Sequence, residues 1–169
     1  MVDLQDFKKI TTFVFDVDGV FTNNQLLITE EGHLLRSMNV RDGFAVKVAL
    51  KAGFRMFVIT GGSSQGVMTR LKSLGIQEIY SGIWNKEVTF LDILSKHGLK
   101  EEEVLYIGDD LIDIPCIQQA GIGVCPKDAA PEVLAVADHI TQNEGGSGCV
   151  REVIQAVLEL QSKWLTTLT

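Results

Sequence analysis

The sequence is poor in the residues that build disulfide frameworks and zinc sites, with three cysteines and three histidines among 169 residues. Cys116, Cys125 and Cys149 are odd in number and lack CxxC spacing, which argues against both. Reduced, mostly buried thiols are expected instead. His33, His97 and His139 stand in unlike contexts and suggest no ligand triad. Positive charge is also short. A formal net charge of −7 disfavours nucleic acid or an anionic membrane as partner. An anionic substrate therefore needs a local positive site set into an acidic surface. No apolar run approaches membrane-spanning length. The opening, MVDLQDFKKITT, is too polar for a secretory signal, so a cytoplasmic location is expected. Repeats, low-complexity tracts and linkers are missing as well, so residues 1–169 are expected to form one domain.

What is present is an alternation of short apolar runs with segments of helical period, the pattern of βα units around a parallel sheet. Ile10 to Phe15, Arg55 to Ile59, Val104 to Ile107 and Ile122 to Val124 read as buried strands. Phe44 to Lys51, Ser63 to Leu74, Lys86 to His97 and Leu111 to Gln119 read as helices. Gly53, Gly75, Gly98 and Gly121 fall at or just beyond their ends. A last helix, Val150 to Trp164, gathers Val153, Ile154, Val157, Leu158 and Leu160 on one face. The expected fold is α/β, a three-layer sandwich with a central parallel sheet.

One segment breaks the alternation. QLLITEEGHLLRSMNV, from Gln25 to Val40, reads as two strands around a Glu30-Glu31-Gly32 turn. A hairpin after the first strand of a parallel sheet has no easy place in that sheet. It should project as a flap, and its apolar residues Leu26, Ile28, Leu34 and Met38 then need a cover.

The chemistry is carried by acids at strand ends. FDVDGVFT places Asp16 and Asp18 at the C-terminal end of the first strand, where ligands bind in open α/β sheets. Residues two apart on a strand point the same way, so both carboxylates can face one site. Their repulsion is relieved by a cation or a shared proton, and Mg²⁺ with oxygen ligands fits. A solvated turn explains this motif alone equally well. YIGDDLID adds Asp109, Asp110 and Asp113 at a second strand end. One of these acids is accounted for by helix capping, but not all three. Thr60 precedes Gly61-Gly62-Ser63, where backbone N–H groups and a helix start can hold a phosphate. Lys86 offers a point charge. Taken singly, each is equally a turn residue or a surface lysine.

In this order the four motifs resemble those of the haloacid dehalogenase superfamily, over nearly the whole chain. The resemblance implies Mg²⁺-dependent phosphate ester hydrolysis through an aspartyl phosphate. It makes Asp16 the nucleophile and Asp18 the general acid and base, and sets Thr60 and Lys86 on the transferring phosphoryl group. Asp16, Asp18 (by its backbone carbonyl) and Asp109 would hold the metal, with Asp110 and Asp113 in support. Within the superfamily the chain is similar to the capless phosphatases of keto-sugar acid phosphates, the 3-deoxy-D-manno-octulosonate 8-phosphate type, which serve lipopolysaccharide synthesis. The flap, NVRDG (Asn39 to Gly43), GDDLID, GGSGCVRE (Gly145 to Glu152) and QSKW carry that likeness. It implies substrate contacts from Asp18, Asn39, Arg41, Asp42, Gly43, Lys47, Gly62, Arg70 and Lys86. As residues, Lys47 and Arg70 read equally as polar-face helix positions, and Asn39 to Gly43 as a turn and cap.

The chain departs from that pattern at Gly62, where the family usually has Arg. Arg41, Lys47 or Arg70 would have to compensate, or the substrate is a nonulosonate 9-phosphate. Two rivals of another class are a phospho-accepting signalling domain and a non-catalytic oligomerisation domain. Against the first, Asp18 supplies an acid and base that a stable phospho-switch does not want. The complete set of Asp16, Asp18, Thr60, Lys86 and Asp109 argues against the second. The resemblance further implies a homotetramer whose flaps wall neighbouring sites. Gly145 to Gly148 would serve as a lid, and the tail from Gln161 to Thr169 would reach an adjacent pocket.

Overall fold

The computed structural model describes residues 4–164. Six parallel strands form one sheet: β1 (Thr12–Phe15), β4 (Arg55–Thr60), β5 (Glu78–Ser81), β6 (Val104–Ile107), β7 (Ile122–Cys125) and β8 (His139–Ile140). Their order is β5-β4-β1-β6-β7-β8. Two further strands, β2 (Leu27–Ile28) and β3 (Leu34–Leu35), pair with each other as a separate antiparallel hairpin. The helices are α1 (Leu4–Phe7), α2 (Val40–Lys51), α3 (Gln65–Leu74), α4 (Lys86–His97), α5 (Ile114–Gln119), α6 (Pro131–Leu134) and α7 (Cys149–Leu160).

Strand periodicity sorts the core into two faces. Phe13 and Phe15 of β1 point to one side, where they meet α2, α3 and α7 through residues such as Ala45, Leu71 and Ile154. Val14, between them, points to the other side, with Tyr106, Phe90 of α4 and Ile117 of α5. The result is the expected three-layer sandwich. Helix α7 shows how the packing arises. Val153, Ile154, Val157 and Leu158 recur at helical spacing and are all buried. Each side chain contributes about 1.5–3 kcal/mol when removed from water.

Helix ends are set by short-range chemistry. Ser64 and Asn85 cap α3 and α4 by accepting from Val67 N and Val88 N. Gly75 and Gly98 close the same helices in the left-handed region, at φ +106° and +59°. Differences from the sequence reading lie at marginal elements. The helix expected from Leu111 begins as a tight three-residue turn, Leu111–Asp113, before α5. The segment Gln25 to Val40 keeps only four residues in strand form, and Val40 already belongs to α2. Among the described residues no helix is long and apolar enough to cross a membrane.

Consecutive crossovers run from β1 toward β5 on one side and from β6 toward β8 on the other. The direction reverses between β1 and β6. That reversal opens a crevice at the C-terminal edge of the sheet, beside the loops after β1, β4 and β6.

Candidate active site

Those loops and the start of α4 bring Asp16, Asp18, Thr60, Gly62, Lys86, Asp109 and Asp110 around one cleft of about 200 Å³. Asp16 follows β1 directly, Thr60 ends β4, and Asp109 lies two residues beyond β6. Lys86 is the first residue of α4, with only 1% of its surface exposed. Its ammonium lies 2.8 Å from Asp16 Oδ1 and 2.7 Å from Asp113 Oδ1. One buried cation thus serves two buried acids, which cannot both ionise without further positive charge.

The acids respond to that environment. Burial, and then the charge of Asp113, push Asp16 up to about 8, against the lowering pull of Lys86. Burial raises Asp109 to about 6, with an opposing hydrogen bond from Asn24. Lys86 is held above its ordinary range: burial works against its charge, but Asp16 and Asp113 outweigh it.

Asp16, Asp109 and Asp113 each bring a carboxylate oxygen within 4.8 Å of the others. Asp113 is committed elsewhere. Its Oδ1 accepts from Lys86 and from the Tyr106 hydroxyl at 2.6 Å. Its Oδ2 accepts from the backbone N–H groups of Asp109 and Asp110, both at 3.3 Å. Asp113 therefore shapes the acidic loop, while Asp16 and Asp109 offer hard oxygen donors. That donor set fits Mg²⁺, since a divalent cation compensates the excess charge that burial makes costly. Asp110 caps the following turn by accepting from Leu111 N at 2.8 Å.

Packing explains two glycines here. A side chain on Gly19, which has φ +83°, would collide with the Asp109 carboxylate. One on Gly108 would strike Asp113. At the second strand end, Thr60 Oγ1 accepts from Gly62 N at 3.1 Å, and Gly62 O accepts from Gly82 N at 3.2 Å. The Thr60-Gly61-Gly62 turn is thereby fixed against the loop that leads to Lys86.

Two residues of this site were missed in the sequence. Asn24 donates to Asp109 Oδ2 at 2.6 Å from a left-handed backbone at φ +60°. Arg36, from the flap, grips Asp18 with Nε to Oδ1 at 2.6 Å and Nη2 to Oδ2 at 3.2 Å. An Asn in the turn FTNNQ was a weak local signal, because Asn tolerates positive φ. Nothing local marks Arg36.

The remaining sequence candidates divide. Arg70 lines a groove between the flap and α3, and its guanidinium lies over Gly43, where a Cβ would come within 2.7 Å of Nη2. Asn39 caps α2 by accepting from Arg41 N at 2.8 Å, and both line a separate groove beside Gly148 and Arg151. Lys47 is exposed on α2. Asp42 is fully buried and turned onto the start of α7, accepting from Arg151 N at 2.8 Å. Burial raises it to about 6. The structure thus keeps Asn39, Arg41, Asp42, Gly43 and Lys47 out of the metal-side cleft.

The expected lid is tied down rather than free. Gly146 N donates to Val20 O at 2.9 Å, and Gly145 N to Asp128 Oδ1 at 2.9 Å. A side chain on Gly145 would strike the Gly19 carbonyl. Residues 165–169 of the expected tail lie outside the described residues.

A family model for haloacid dehalogenase-like hydrolases matches residues 62–153. The chain is 38% identical over 156 residues to the 3-deoxy-D-manno-octulosonate 8-phosphate phosphatase of Escherichia coli K12, covering 92% of this chain and 83% of that enzyme. A structure of the phosphatase of that name from Yersinia pestis superposes with a TM-score of 0.93 at 34% identity, over 96% of this chain and 88% of that one. One from Moraxella catarrhalis, in complex with a magnesium ion, a phosphate ion and a KDO molecule, gives 0.94 at 33% identity, over 98% and 95%.

Proposed function

This chain belongs to the haloacid dehalogenase-like hydrolases, and from that membership we propose that it hydrolyses 3-deoxy-D-manno-octulosonate 8-phosphate to the free sugar acid and phosphate. The observation that carries the proposal is the buried Asp16–Lys86–Asp113 cluster at the mouth of the sheet, beside Asp18, Thr60 and Asp109. The relatives named above supply the substrate. A role in forming a lipopolysaccharide precursor follows from that substrate, as does a place in the cytoplasm.

Asp16 is the nucleophile, and its carboxylate attacks phosphorus in line with the leaving sugar oxygen. Lys86 fixes Asp16 through Oδ1 and faces its charge toward the equatorial phosphoryl oxygens. The Thr60 hydroxyl, held by the Gly62 N–H, and the backbone N–H of Gly61 supply neutral donors on the other side. Asp18 gives a proton to the leaving alkoxide and then takes one from the water that cleaves the aspartyl phosphate. Asp113, braced by Tyr106, keeps Lys86 and the Asp109 loop in place. Asp16, Asp109 and the Asp18 carbonyl would hold Mg²⁺, which would offset the repulsion between carboxylate and phosphate.

The same reading extends to assembly. Leu27 and Ile28 of the flap are 68% and 66% exposed, and Leu26, Leu34 and Leu35 lie open beside them. A second copy of the chain is the cover such a hairpin invites. We take the active form as a homotetramer built through the flaps.

The decisive assay is phosphate release with Mg²⁺ from octulosonate 8-phosphate, a nonulosonate 9-phosphate and simple sugar phosphates. The proposal requires the highest kcat/KM for the first. Preference for the nonulosonate ester would move the assignment to that substrate, and equal rates on all would remove the sugar acid from it.

A further inference from the structure

Arg36 links the flap to the catalytic loop. Its side chain is 10% exposed, and its guanidinium forks onto both oxygens of Asp18. Nη1 also reaches the Leu34 carbonyl at 3.4 Å, which anchors the side chain to the flap backbone. The guanidinium lies over Gly62: a Cβ built on that residue would stand 3.7 Å from Arg36 Nη2 and 3.3 Å from Asp18 Oδ2. A cation from the flap therefore occupies the space beside a position that has no side chain of its own.

From this point a groove of about 860 Å³ runs between the flap and the start of α3. Arg36, Arg70, Ser63, Ser64 and Gln65 line it, and among the described residues no carboxylate does. It joins the catalytic cleft through a narrow space that Arg36 and Ser64 share with Asp18, Thr60 and Gly62. On a chain of net charge −7, an acid-free groove with two guanidiniums that opens beside Asp18 is built to take an anion.

We propose that Arg36 is the specificity-determining residue that binds the substrate's carboxylate, exchanging Asp18 for it when the sugar acid enters the groove. This rests on the sugar-acid phosphate reading given above. An ester with its phosphorus at Asp16 projects its sugar past Asp18, and the groove is the adjoining positive space. The guanidinium fork matches a carboxylate in two-pronged geometry, whether that carboxylate belongs to Asp18 or to a ligand. Transfer of the fork to the substrate frees both Asp18 oxygens to face the leaving oxygen. An ester without a carboxylate has nothing to draw Arg36 away, and Asp18 stays engaged. Binding at the remote acid group is thus spent on preparing the reacting end.

The test compares wild type, Arg36→Met and Arg36→Lys on octulosonate 8-phosphate and on arabinose 5-phosphate, which lacks a carboxylate. Inhibition by the free octulosonate and by inorganic phosphate is measured alongside, and circular dichroism verifies the fold. In Arg36→Met, kcat/KM for the carboxylated ester should fall at least about tenfold more than for arabinose 5-phosphate, chiefly through KM. The inhibition constant of the free sugar acid should rise in parallel, and that of phosphate should not follow it. Arg36→Lys, which keeps the charge without the fork, should fall between. Equal losses on both esters, with inhibition by the sugar acid unchanged, would overturn the proposal and leave Arg36 as a brace for Asp18. If wild type prefers a nonulosonate 9-phosphate, the same ratio is read with that ester, which separates the carboxylate assignment from the choice of sugar. A wild type that hydrolyses neither carboxylated ester overturns the functional reading, and this assignment with it.

Discussion

Lys86 meets Asp16 at 2.8 Å inside the protein, with 1% of the lysine side chain and 8% of the aspartate exposed. The contact ties the first residue of α4 to the residue that follows β1. It places a full positive charge beside the proposed nucleophile, where little water screens it. Lys86→Met should therefore lower kcat by about 10²–10³-fold, the usual cost of losing a preorganised charge at a transition state. It also strands Asp16 and Asp113, so the thermal midpoint should drop. Steady-state phosphate release and thermal unfolding of the same variant check both outcomes.

In the proposed mechanism Asp113 acts through its neighbours. Asp113→Asn keeps an acceptor but loses the charge that pairs with Lys86. It should cost about 10–100-fold in activity and raise the Mg²⁺ concentration needed for half-maximal rate. Tyr106→Phe removes only the 2.6 Å hydroxyl bond to Asp113 and should destabilise by about 1–2 kcal/mol, with most activity kept. Metal titrations of the two variants separate these effects.

The strand-end acids were legible in the sequence because each motif is local. An apolar run followed by Asp-x-Asp or Gly-Asp-Asp announces its place at a sheet edge before any tertiary contact is known. Asn24 and Asp109, by contrast, are 85 residues apart and meet only once β1 and β6 lie side by side. Arg36 reaches Asp18 only because the flap folds back over the loop after β1. Compensation for Gly62 was sought on α2 and α3, at Arg41, Lys47 and Arg70, whereas the guanidinium that lies there comes from the hairpin. Strand β5 went unread because EIYS is a half-buried edge with mixed polarity. Two-residue β8 is too short to carry a period. Asp42 was assigned to substrate binding by resemblance, but it is fully buried and caps α7 instead.

The raised carboxyls predict a pH-dependent metal response. Burial lifts Asp16 to about 8 and Asp109 to about 6, both from 3.8. A carboxyl with a higher pKa folded than unfolded takes up protons on folding, so the metal-free protein loses stability as pH rises from about 4 to about 8. Mg²⁺ must displace those protons at low pH and meets free carboxylates at high pH. The gain in thermal midpoint on adding Mg²⁺ should therefore be larger near pH 8 than near pH 5.5. Calorimetry at both pH values, with and without the metal, reads this directly. An equal gain at both would contradict it.

Open leucines on the flap predict assembly. Leu27→Asp with Ile28→Asp places charge on the most exposed apolar strand and should dissociate the proposed tetramer without unfolding the sheet, which the flap does not join. Sedimentation velocity of wild type and variant at submicromolar concentration decides it. A wild-type monomer with full activity would end the proposal of shared sites.

The central claim is that Asp16 carries the phosphoryl group, and Asp18→Asn offers the direct test. With an aryl phosphate the leaving group needs no proton, so the first step survives in this variant. Activation of water is lost, and the intermediate should accumulate. Acid quenching followed by peptide mass spectrometry should find phosphate on the peptide that contains Asp16, and Asp16→Asn in the same background should remove it. Phosphate release by Asp18→Asn at the wild-type rate with no modified peptide, or retained turnover in Asp16→Asn, would contradict the account.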